Sequence, residues 1–60
     1  MDVNTAISEM NDCVDRKDYD EAAEFARNIK RWVCMGGFVP AGYSKKSLRA
    51  ECNKVIDLAG

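Results

Sequence analysis

Sixty residues carry nine basic and ten acidic side chains for a net charge of −1, with three cysteines and no histidine. A chain this short buries only about 60% of the surface its unfolded form exposes, so it forms one small domain whose core needs support. Three cysteines without CxxC spacing speak against a disulfide framework or a zinc site, and the absence of His removes the usual general base. No metal or cofactor is therefore expected, and self-association into a homo-oligomer is the expected support.

Met1-Asp2-Val3-Asn4 opens acidic and no apolar run follows, so neither a secretory leader nor a membrane span is expected. A reducing, cytoplasmic setting fits these features. The near-zero net charge conceals a segregation. Residues 1–25 hold eight acids against Arg16 and Lys17, whereas residues 26–60 hold seven bases against Glu51 and Asp57. Such a split suits antiparallel or head-to-tail contact between the halves, within one chain or between copies.

The spacing predicts a first helix over residues 3–16, with Val3, Ala6, Ile7, Met10, Cys13 and Val14 on one stripe. Asp2 or Asn4 is its candidate N-cap, and Arg16 and Lys17 complement the dipole at its C-terminal end. A short connection leads to a second helix over residues 20–35, capped by Asp18 or Asp20, with Ala22, Ala23, Ala26, Ile29 and Val33 as its core stripe. Phe25 and Trp32 lie seven residues apart on a face beside that stripe. With Met35 they make the apolar surface wider than one neighbour needs, a candidate interface with another copy. Gly36 is placed to end the helix, since glycine tolerates the left-handed conformation found just past a last turn.

Residues 36–44 read as a loop broken by Gly36, Gly37, Pro40 and Gly42. Ser44 then caps a third helix over residues 45–59, whose stripe is Leu48, Cys52, Val55, Ile56 and Ala59. The fold class is all-α: one domain over residues 1–60, a helical hairpin plus a third helix, completed by homo-oligomerisation. The three cysteines fall one per helix and read as small buried hydrophobes.

The chemistry-bearing residues gather around the loop. Gly36 and Gly37 supply backbone N–H groups, and Ser44, Lys45 and Lys46 open a helix whose free N–H donors and dipole favour a phosphate or carboxylate. Arg31, Lys45, Lys46 and Arg49 add charge, and Trp32, Phe38 or Tyr43 could stack on a planar base. The expected ligand is anionic and nucleotide-like, although the stretch is neither a GxxxxGK[ST] loop nor a GxGxxG fingerprint. The alternative is a structural or protein-interaction module in which Trp32, Phe38 and Val39 plug the end of the core. Nucleic-acid binding fits poorly, because the loop exceeds a helix-turn-helix connection and the acidic half repels phosphates. Catalysis is not expected either, since the clustered carboxylates occupy helix starts and faces as caps and dipole partners.

Two partial resemblances add to this reading. Asp18-Tyr19-Asp20-Glu21-Ala22-Ala23 looks like the start of a tetratricopeptide helix, but one hairpin cannot form a solenoid. Trp32-x-x-x-Gly36-Gly37-Phe38-x-Pro40 resembles a helix ending of short proteins encoded by bacteriophages and some bacteria, over about residues 20–40. The resemblance implies a compact accessory or counter-defence protein in a bacterial host cell. Such a protein would act by sequestering a nucleotide-like signal or a host protein, without chemistry.

Overall fold

The computed structural model describes residues 2–60 and contains three helices among them: α1 (Val3–Asp15), α2 (Tyr19–Cys34) and α3 (Lys45–Ala59). The all-α architecture anticipated from the periodicity is the one observed. Of the two candidate caps for α1, Asp2 takes the position. It accepts from the Asn4 backbone N–H at 3.2 Å, and its second carboxylate oxygen accepts from Thr5 Oγ1 at 3.2 Å. The α1 stripe buries Ala6, Ile7, Met10 and Cys13, with Val3 and Val14 half-buried at its margins.

The α1 helix stops one residue earlier than expected because the chain turns left-handed at Lys17, where φ is 61°. The Lys17 N–H donates to the Val14 carbonyl at 3.0 Å and the Asp18 N–H to the Cys13 carbonyl at 2.8 Å, the paired bonds of a Schellman ending. Asp18 belongs to both helices. Its carbonyl also accepts from the Ala22 N–H at 3.0 Å, so α2 starts at Tyr19 rather than Asp20. A non-glycine residue in this conformation costs stability, so Lys17→Gly should stabilise the protein by about 0.5–1 kcal/mol. A shifted urea midpoint at unchanged slope is the expected observation.

The core is organised around α2. Both α1 and α3 pack against it, and Ala22, Ala26, Ile29 and Val33 face them fully buried. The alanines let neighbouring backbones approach closely, and Ile29 fills the centre among Met10, Leu48 and Cys52 of the same buried cluster. From α3 the core takes Leu48, Cys52 and Val55, while Ile56 is half-buried against it.

A second Schellman ending closes α2. The Gly36 N–H donates to the Val33 carbonyl at 3.1 Å and the Gly37 N–H to the Trp32 carbonyl at 3.1 Å, with Gly36 at φ +86°. The helix therefore ends at Cys34, with Met35 as its cap. Trp32 folds its indole over Gly37 so closely that a Cβ there would fall inside the ring's contact distance.

Two expectations about burial need correction. Cys13 and Cys52 are buried, but Cys34 is exposed. Seven residues past Arg27 and three past Arg31, it lies on the charged outer face of α2 rather than the apolar one. Phe38 is not a core plug: it is 88% exposed, while Trp32 and Val39 do pack against the core. After the Gly36–Gly37 turn the side chain of Phe38 is left in solvent and that of Val39 meets the core.

Candidate basic face on the third helix

The loop returns through a turn in which the Tyr43 N–H donates to the Pro40 carbonyl at 3.1 Å, with Gly42 at φ +89°. Ser44 then starts α3. Its hydroxyl accepts from the Ser47 N–H at 3.0 Å, and the Ser47 hydroxyl accepts from the Ser44 N–H at 2.9 Å. This reciprocal box consumes part of the donor set expected to meet an anion, leaving the N–H groups of Lys45 and Lys46 in the first turn without this partner.

One turn on, Lys46, Arg49, Ala50 and Asn53 lie at spacings of three, one and three residues, which puts them on one face of α3. They line an open hollow of about 310 Å³. No carboxylate lines it. From α2, Lys30 reaches across and donates from Nζ to Asn53 Oδ1 at 2.6 Å. An ammonium can only donate, so this bond fixes the amide with its oxygen toward Lys30 and leaves its NH₂ as a donor for another group. The hollow thus offers two cations and an oriented amide, with a third cation alongside.

The expected site residues separate into three groups. Lys46 and Arg49 line the hollow. Arg31, Ser44, Lys45 and Tyr43 are exposed near the α2 end or the α3 start, and Met35 and Phe38 stand 78% and 88% exposed on the connection. Gly36 and Gly37 spend their N–H groups on the α2 ending, so they are not a phosphate cradle. Of the three expected interface residues, Phe25 and Trp32 are half-buried against the chain's own core and Met35 is uncovered. Asn53 and Ala50 were not anticipated, although their spacing from Lys46 and Arg49 places them on the same stripe.

The thiols differ in the same graded way. Burial pushes the Cys52 thiol above its ordinary range, opposed by Lys30 and reinforced by Glu51. Iodoacetamide should therefore modify Cys34 rapidly in the folded protein and leave Cys13 and Cys52 unmodified until denaturant is added, as read by mass spectrometry. Because the folded Cys52 holds its proton to higher pH than the unfolded one, its contribution to stability is complete below the ordinary thiol pKa. It declines as pH rises through the elevated value. At the α1 end, Arg16 Nη2 donates to Cys13 Sγ at 3.4 Å, a contact that raises the guanidinium pKa further.

No helix is long and apolar enough to cross a membrane, and no three His, Cys, Asp or Glu side chains gather to hold a metal among the described residues. No family model, curated protein or solved structure matches this chain.

Proposed function

We propose that the protein is a non-catalytic binding protein that sequesters an anionic, nucleotide-like small molecule on the basic face of α3. The observation that carries this reading is the convergence of Lys46, Arg49 and Asn53 on one carboxylate-free hollow, with Lys30 orienting the amide. Its volume of about 310 Å³ falls at the lower end of the roughly 300–1,000 Å³ that small-ligand sites span. Phosphate oxygens pair with the guanidinium of Arg49 in a fork and with Lys46 as a point charge. The exposed rings of Phe38 and Tyr43 on the preceding connection are the aromatic surfaces open to a base.

The phage-type helix ending over residues 32–40 supports the same role, that of an accessory protein working by capture in the cytoplasm of a bacterial host. Sequestration needs affinity and abundance, not turnover, and a 60-residue chain can supply both.

A thermal-shift series with inorganic phosphate and mono-, di- and cyclic nucleotides tests the reading. A ligand at 100 times its Kd adds about 2.7 kcal/mol, which for so small a domain raises Tm by roughly 10 °C or more. Lys46→Glu with Arg49→Glu should abolish that rise while leaving the unliganded Tm nearly unchanged, since both side chains are exposed. A rise that survives the double substitution, or none with any anion, contradicts the proposal.

A further inference from the structure

The outward face of α2 carries Asp20, Glu24, Arg27 and Arg31 at spacings of four, three and four residues. All four are exposed, and they lie on the side of the helix opposite Ala22, Ala26, Ile29 and Val33. The order is two acids followed by two bases. Along the helix axis the acids near the start and the bases near the end complement the dipole, but from side chain to side chain only Glu24 with Arg27 attracts, while the four-residue neighbours Asp20 and Glu24 repel, as do Arg27 and Arg31.

The pattern becomes complementary when it meets itself reversed. In an antiparallel pair of α2 helices about a two-fold axis between Phe25 and Ala26, Asp20 stands opposite Arg31 of the other copy and Glu24 opposite its Arg27. Each contact occurs twice. Met35, which is 78% exposed one turn beyond Arg31, then comes alongside the α1–α2 connection of the other copy, where the apolar stems of Arg16 and Lys17 offer a surface. A parallel pairing would oppose like charges. A uniformly charged partner such as nucleic acid would meet as much repulsion as attraction on this neutral stripe.

We infer that the outward face of α2 is a homodimer interface, on which a second copy of this chain docks antiparallel through the reciprocal pairs Asp20–Arg31 and Glu24–Arg27. The contact is isologous and closes on itself, which is how two-fold dimers avoid open polymerisation. The pairing uses none of the residues that line the α3 hollow, so the inference stands independently of the ligand reading.

Sedimentation equilibrium tests it. The wild-type protein at about 50 mM salt should show twice the monomer mass of 6.7 kDa, and the dimer should dissociate toward about 500 mM salt as the ion pairs are screened. A variant with an all-basic stripe, Asp20→Lys with Glu24→Lys, and one with an all-acidic stripe, Arg27→Glu with Arg31→Glu, should each be monomeric. Mixed one to one, they should form a heterodimer. Should either variant lose its helical circular dichroism, the exchange Glu24→Arg with Arg27→Glu in one chain restores every pairing and should retain the dimer. A wild-type monomer at low salt, variants that keep the dimer mass, a mixture that stays monomeric, or a well-folded exchange variant that no longer dimerises overturns the inference. So does a wild-type chain that stays monomeric alone and associates only with a different protein.

Discussion

Replacing Ile29 by alanine should remove most of the protein's stability at 25 °C. Ile29 is fully buried on the one helix that both others pack against. Truncating it removes contacts to α1 and α3 together, and the void cannot collapse without moving both. A loss of about 3 kcal/mol follows from the transfer and cavity terms for such a site. A core of this size supplies only about 3–5 kcal/mol in total, so the substitution consumes most of the margin. The urea midpoint, followed by circular dichroism at 222 nm, should fall close to zero and rise again on adding an osmolyte such as trimethylamine N-oxide. Leu58→Ala is the matched control. Leu58 is 47% exposed on α3, and its truncation should cost well under about 1 kcal/mol.

Gly37→Ala should be the most damaging alanine substitution among the four glycines. At Gly37 the added carbon would land against Cδ2, Cε2 and Cε3 of the Trp32 indole, the last at 2.6 Å. A bicyclic ring packed against the core cannot yield by rotating a flexible end, so the whole side chain must leave its place. Overpacking of this kind costs about 1–3 kcal/mol. The chain contains one tryptophan, so its emission reports the event directly: Gly37→Ala should shift the maximum to longer wavelength as the ring is forced into water. Gly42→Ala separates strain from crowding. A Cβ at Gly42 meets nothing within 4 Å, yet φ there is +89°. That variant should lose about 1 kcal/mol through backbone strain alone, with the tryptophan emission unchanged.

The helices were legible because the periodicity of Ala22, Ala26, Ile29 and Val33, and of Leu48, Cys52 and Val55, leaves one face for a core. Ser44 was legible as a cap because a serine after a glycine-rich stretch has an evident donor to satisfy. The two helix endings shifted by a residue since a Schellman bond pair is set by where the chain turns left-handed. At α1 that turn falls on Lys17, a residue with no glycine signature. Cys34 was misplaced by residue type, when its spacing from Arg27 and Arg31 already put it outside. Phe38 was hidden for a different reason. Its exposure depends on the direction in which Gly36 and Gly37 send the chain, and two consecutive glycines encode permission rather than direction.

The site was half legible. Charge and helix register identified Lys46 and Arg49, but the loop glycines looked like donors for a ligand, and the α2 ending uses them instead. Asn53 gains its part from Lys30, a partner 23 residues away whose contact depends on how α2 and α3 pack. That contact converts a surface amide into an oriented donor and makes the face more than a pair of cations.

A titration of ¹⁵N-labelled protein with a nucleotide, following backbone and side-chain amide resonances, tests the α3 site residue by residue. Capture on the basic face gives saturable shifts at Lys46, Arg49, Ala50 and Asn53, including the Asn53 side-chain NH₂, and smaller ones at Lys30. Shifts confined to residues 36–43, or no saturable shift with any nucleotide, would contradict it.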